Sequence, residues 1–219
     1  MRMKSILWDL DGTIINSEEG ITKCVQYALK AKDIDEPDLK KLQCFIGPPL
    51  DAMFCEKYGM TMDEARESVQ KYRERYNTLG IMECCLYDGV KETIIRLKEA
   101  GYWQALASSK PEAACRRLLE HFGLTSYFDE IVGATLDGSI STKEQVLEEL
   151  YRRAGVDKSM MCLIGDTKYD AKGAKAFGIR CIGVSYGFGT REEMLAAGAE
   201  VVIDDIREVE KYIENDNGL

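Results

Sequence analysis

Five short apolar runs, at Ser5–Trp8, 103–107, 130–133, 160–164 and Arg180–Val184, are each followed by turn residues and then by a segment with helical spacing. Few folds accommodate that alternation. Strands joined through helices run parallel, and a parallel sheet needs helices on both faces. The expected class is therefore α/β, a Rossmann-like parallel sheet flanked by helices. With 219 residues, 45% of them hydrophobic, the chain can fill such a core.

One connection is too long for this scheme. Between the first and second runs, residues 17–84 offer no convincing strand, while Ile21, Val25, Ala28 and Leu29 recur at spacings of three and four. A crossover normally needs one helix, so this stretch is expected to form an inserted all-helical cap domain. The plan is a core of 1–16 and 85–219 with a cap of 17–84. After the insertion, Tyr87-Asp88-Gly89-Val90 opens a helix to about residue 100, which Gly101 ends. The polar tail at 215–218 is expected to fray.

Charge and cysteine usage narrow the partners. The formal net charge is -9 with no Lys/Arg-rich block, which disfavours a nucleic acid polymer or an anionic membrane as partner. No apolar stretch approaches the roughly 20 residues that span a bilayer, and no signal peptide is evident, so a cytoplasmic location is expected. The eight cysteines form no CxxC pair and read as reduced thiols. Cys84 and Cys85 are adjacent and point apart, and His121 is the lone histidine, so zinc is disfavoured. Oligomeric state is not written in any readable pattern.

In open α/β sheets ligands bind beyond the carboxyl ends of the strands. Four of those ends carry polar clusters. Asp9 and Asp11 are two residues apart, on one side of an extended chain, and Gly12 allows a sharp turn before Thr13. A bare pair of this kind is more often a solvated strand end, but its place on the first buried strand reverses that preference. Ser108 and Ser109 precede a helix expected to open near Pro111, where a hydroxyl and a free N–H could hold an anionic oxygen or simply cap the helix. Lys143 sits at a helix start, where the dipole prefers an acid, so a carboxylate partner or a ligand explains it better than chance, although single lysines there are often solvated. Asp166 and Asp170 lie one helical turn apart after a strand; oxygen ligands of this kind favour magnesium, and an acidic helix start is the plainer alternative.

Taken in order, Asp-x-Asp-Gly-Thr, a serine after the second strand, a lysine at a later helix start and Gly-Asp-Thr-x-x-x-Asp resemble the haloacid dehalogenase superfamily across the core. Phe45-Ile46-Gly47-Pro48-Pro49-Leu50 and Gly133-Ala134-Thr135-Leu136-Asp137-Gly138-Ser139 are similar to its phosphoglycolate phosphatase-like or 5′-nucleotidase-like branch. The resemblance implies that Asp9 is the nucleophile and Asp11 the acid and base. It implies that Lys143 neutralises charge, and that Gly12, Thr13, Ser108 and Ser109 bind the phosphoryl group. Magnesium would be held by Asp9, the Asp11 carbonyl and Asp166, with Asp170 ligating or orienting metal-bound water. Gly47 and Pro48 would belong to a cap loop that closes over substrate.

The implied activity is a magnesium-dependent phosphatase acting on a small phosphorylated metabolite, phosphoglycolate phosphatase-like, with a 5′-nucleotidase as alternative. A sugar phosphomutase resembling β-phosphoglucomutase is disfavoured because the cap glycine loop lacks the expected arginine. A dehalogenase would not need Asp11, and a phosphonatase would need a cap lysine in a matching setting. A regulator that binds a phosphorylated ligand is the non-enzymatic alternative. Tyr169 stands where many relatives of this branch have histidine, and no role is assigned to it.

Overall fold

The computed structural model describes residues 5–214; the tail at 215–218 lies outside them. The chain divides into two compact units, Asn16–Cys85 and the segments on either side of it. Its strands are β1 (Ser5–Trp8), β2 (Ile15–Asn16), β3 (Cys85–Leu86), β4 (Trp103–Pro111), β5 (Glu130–Ala134), β6 (Met161–Gly165), β7 (Arg180–Val184) and β8 (Val201–Ile203). β2 pairs with β3, and the other six form one parallel sheet in the order β5-β4-β1-β6-β7-β8.

That order follows from the chain's path. From β1 it builds outward through β4 and β5, then returns to β1's other side and builds outward again through β6, β7 and β8. The direction reverses beside β1, which is where a ligand crevice opens at the carboxyl ends. Trp8 is level with Leu106 on β4 and Ile164 on β6, so Asp9, Ala107 and Gly165 continue together onto one rim. As the central strand, β1 has Ile6, Leu7 and Trp8 fully buried. The Trp8 indole N–H still needs an acceptor, and buried Gln104 supplies one at 3.0 Å.

The larger unit's helices are α4 (Val90–Glu99), α5 (Glu112–His121), α6 (Lys143–Ala154), α7 (Lys168–Phe177), α8 (Arg191–Ala197) and α9 (Val209–Glu214). One core joins Leu7, Ala105 and Leu163 of the sheet to Val146, Leu147 and Leu150 of α6 and Ala171 and Ala174 of α7. No described helix is long and apolar enough to cross a membrane.

The smaller unit is helical: α1 (Glu18–Lys30), a tight turn at Leu39–Phe45, α2 (Leu50–Tyr58) and α3 (Met62–Tyr76). The face of α1 bearing Ile21, Cys24, Val25, Ala28 and Leu29 is buried. Phe45 and Phe54 meet with ring centroids 4.9 Å apart. Gly20 is needed for close packing, because a Cβ there would lie 2.1 Å from the Gly80 carbonyl oxygen. Pro49 precedes the first turn of α2, so the prolines end before the helix instead of occupying its first positions.

The strands differ from expectation at several points, among them the short β2 and β3, which no expected run covered. The run at 160–164 starts one residue later because Lys158–Met160 forms a turn capped by Asp157. β8 was not foreseen; three residues at a sheet edge are too few to produce a readable period.

Candidate active site

Asp9 leaves β1 with its backbone still in the sheet, its N–H donating to the Ile164 carbonyl at 2.9 Å. The chain then closes a tight loop. Ile14 and Ile15 both donate to the Leu10 carbonyl, at 2.9 and 3.0 Å, and Gly12 donates to Ile15 at 2.8 Å. Gly12 has φ +84, and a Cβ there would stand 2.0 Å from Asp166 Oδ2. Gly12→Ala combines backbone strain with a clash against buried structure, and is expected to cost on the order of 3 kcal/mol. Urea unfolding of the variant beside the parent measures it.

Lys143 opens α6, whose N-cap Thr142 and Gln145 form a reciprocal capping box. Its side chain turns inward and is nearly fully buried. Nζ donates to Asp9 Oδ1 at 2.7 Å and to the Ala107 carbonyl at 2.7 Å, and lies 2.9 Å from Asp170 Oδ1. Three ammonium protons thus meet three acceptors. Burial opposes the charged form, but Asp170 and Asp9 outweigh it and hold the ammonium above its usual range. Helix α7 can come this close because Gly173 has no side chain; a Cβ there would lie 2.7 Å from the Lys143 Cβ.

Asp166 follows β6 and is completely buried. Its hydrogen-bond donors are neutral: the Phe188 N–H at 2.8 Å and the Thr13 hydroxyl at 3.4 Å. Asp170 accepts at Oδ2 from the Thr167 N–H and hydroxyl, at 3.0 and 2.8 Å, in a second capping box, leaving Oδ1 for Lys143. Ligand oxygens of Asp9, Asp166 and Asp170 lie within 4.8 Å of one another.

Three buried carboxylates against one ammonium are short of positive charge, and an all-oxygen donor set suits a hard divalent cation. The residues present therefore fit a metal. Burial pushes the Asp9 carboxyl up to about 6 despite Lys143, and burial pushes Asp166 well above the usual carboxylate range, with Asp170 and Asp9 adding to it. Between 3.8 and about 6 the folded chain keeps a proton on Asp9 that the unfolded chain has released, so this group's contribution falls as pH rises through that window. In EDTA the melting temperature of the parent is expected to fall from pH 4 to 6 relative to Asp9→Asn. Magnesium is expected to shrink that difference. Parallel scans of both proteins over this range check it.

Asp11 faces elsewhere. Both of its carboxylate oxygens accept from Lys110 Nζ, at 2.9 and 2.7 Å. No local pattern marks Lys110 as the partner of Asp11, because nothing in the sequence links residues 99 positions apart. Expectation also erred on this strand tip. β4 runs on through Pro111 and α5 opens at Glu112, so Ser108 and Ser109 belong to the strand and not to a helix N-terminus. Gly133 on β5 makes the extension feasible, since any side chain there would collide with the Lys110 carbonyl.

Ser108 is buried and its Oγ accepts from the Lys110 N–H at 3.3 Å; Ser109 is half-buried. Thr13 is buried, and its carbonyl accepts from the Tyr186 hydroxyl at 3.0 Å, a contact no motif signalled. Gly47, exposed with φ +101, and half-buried Pro48 lie in the helical unit. Tyr169 is exposed. None of the eight cysteines is in a disulfide.

A parallel sheet with clustered acids and an inward lysine at its switch point defines a hydrolase core of the α/β class. The chain belongs to the haloacid dehalogenase-like hydrolase family, whose sequence profile matches residues 6–184. Members of this family use a divalent metal. Among curated relatives, a 5′-nucleotidase of Pseudomonas aeruginosa is 38% identical over 98% of this chain and 97% of its own. The tyrosine-protein kinase PtkA of Mycobacterium tuberculosis is 31% identical over 93% of this chain and 71% of its own. A phosphoglycolate phosphatase of Aliivibrio fischeri is 28% identical over 94% of each. The crystal structure of a predicted phosphatase from Clostridium acetobutylicum superposes with TM-score 0.93 at 39% identity, covering 97% of this chain and 99% of that one.

Proposed function

We propose that the protein is a magnesium-dependent phosphatase that hydrolyses a small phosphate monoester through an aspartyl-phosphate on Asp9. The observation that carries this reading is the contact of Lys143 with Asp9 and Asp170 beside Asp166. A phosphoryl group brought to Asp9 adds negative charge to a buried acidic site, and Lys143 is the fixed cation that meets it. An Asp9 oxygen bonds to phosphorus as the ester's P–O bond breaks, and the electron pair leaves on the alkoxide. Asp11 protonates that oxygen and afterwards takes a proton from the water that releases phosphate from Asp9. Gly12, Thr13, Ser108 and Ser109 bind the phosphoryl oxygens.

Asp9, Asp166 and the Asp11 carbonyl would hold the magnesium ion, with Asp170 orienting the arrangement through Lys143. When bound, the ion supplies Lewis-acid charge neutralisation between nucleophile and phosphoryl oxygens. Gly47 and Pro48 serve as the substrate loop of a cap formed by the helical unit. For the substrate, similarity to the Pseudomonas 5′-nucleotidase, at 38% against 28% for the Aliivibrio phosphoglycolate phosphatase, favours a nucleoside monophosphate over phosphoglycolate.

The test is a screen of purified protein with magnesium against nucleoside monophosphates, phosphoglycolate, sugar phosphates and pyrophosphate, ranked by kcat/KM. Hydrolysis that EDTA abolishes, with a nucleoside monophosphate first, is the expected outcome. Inactivity across the panel would overturn the reading.

A further inference from the structure

Each aspartate of the Asp9-Leu10-Asp11 pair has a lysine of its own. Lys143, its protons already shared among Asp9, Asp170 and the Ala107 carbonyl, serves the first. Lys110 serves the second and grips both oxygens, with side-chain exposures of only 6% for the lysine and 11% for Asp11. A one-point ion pair at the surface would leave the carboxyl free to rotate. A two-oxygen grip at this burial fixes its plane.

The backbone is shaped to deliver that lysine. The pairing of β4 with β5 changes register between Ser108 and Pro111, the segment that carries Lys110. The Lys110 N–H turns back to the Ser108 hydroxyl at 3.3 Å, while its carbonyl accepts from the Cys115 thiol at 3.5 Å. Gly133 completes the seat, since a Cβ there would stand 2.5 Å from the Lys110 carbonyl oxygen and 2.6 Å from Glu112 N. A surface lysine would need none of these arrangements.

Resting on the phosphatase reading above, we propose that Lys110 is a positioning residue for Asp11, setting the orientation from which that carboxyl delivers its proton to the leaving oxygen. The proton moves from the Asp11 carboxyl to the departing alkoxide as the ester P–O bond breaks. Lys110 keeps all of its own protons throughout. Its influence is confined to esters whose leaving group needs that proton.

The test compares Lys110→Met, Lys110→Arg, Asp11→Asn and the Lys110→Met/Asp11→Asn double variant, with magnesium, on two substrates. One is an alkyl phosphate, whose poor leaving group requires protonation; the other is 4-nitrophenyl phosphate, whose phenolate leaves without it. The readout is kcat/KM, which covers steps up to leaving-group departure and omits the later release of phosphate from Asp9. Lys110→Met is expected to lose about 30-fold or more on the alkyl ester and less than about threefold on the nitrophenyl ester. Lys110→Arg should recover part of the loss, and in the Asp11→Asn background Lys110→Met should cost less than about twofold. Activity on the nitrophenyl ester doubles as proof of folding. Equal losses on both esters, no loss on either, or an undiminished loss in the Asp11→Asn background would overturn the proposal. A parent protein inactive on both esters would overturn the phosphatase reading itself.

Discussion

Replacing Asp9 by Asn is expected to abolish phosphate-ester hydrolysis while raising, not lowering, the melting temperature of the metal-free protein at neutral pH. The loss follows from removing the group that bonds to phosphorus, and should be on the order of 10⁴-fold or more in kcat. The stability gain follows from the burial that lifts the Asp9 carboxyl to about 6. Above that pH the folded state carries an ionised group it solvates worse than the unfolded chain does. An amide avoids that cost and keeps an oxygen for Lys143. The variant should also lose most of the thermal shift that magnesium gives the parent. Thermal scans with magnesium and with EDTA, alongside the ester assay, check all three outcomes. A phospho-ligand-binding regulator would show a different pattern, with ligand affinity and metal response nearly unchanged.

Lys143→Met should have the opposite effect on the fold. The methionine fills much the same volume but leaves Asp9 and Asp170 facing each other without their shared cation. Breaking a buried pair from one side typically costs about 3–5 kcal/mol, because the remaining charge must be neutralised or solvated. Urea unfolding in EDTA should register a loss of that order, and magnesium should restore part of it by taking over the missing charge. Activity should fall by about 10²- to 10³-fold even with saturating metal, since the fixed cation beside the nucleophile is gone. A variant as stable and active as the parent would mean that the lysine's contacts are incidental.

These two variants separate functions that the sequence presents only as scattered polar residues. Asp9, Asp11, Asp166 and Asp170 were legible because each follows a buried apolar run, and strand ends in a parallel sheet share a rim. Lys143 was legible as an anomaly, a cation at the start of a helix whose dipole favours an acid. Its explanation, two carboxylates within hydrogen-bonding distance, lies in the tertiary structure. Lys110 had no anomaly to betray it, since a lysine before a proline and a helix is ordinary. Only the pairing of β4 with β5 past Ser108 reveals why it turns inward. The helix opens near Pro111 as expected, but the run of β4 past residue 107 was missed for the same reason: the permissive Gly133 is on another strand.

The order of apolar runs and helical segments was enough to specify a parallel α/β sheet, a helical insertion and the strand ends that carry the acids, because local periodicity and chain connectivity are properties of the sequence itself. Which lysine meets which aspartate, and which glycine lets two backbones touch, depended on the register between strands and on how closely α6 and α7 pack. Those are contacts between segments tens of residues apart, set by the packing of the whole core, and no stretch of sequence contains them.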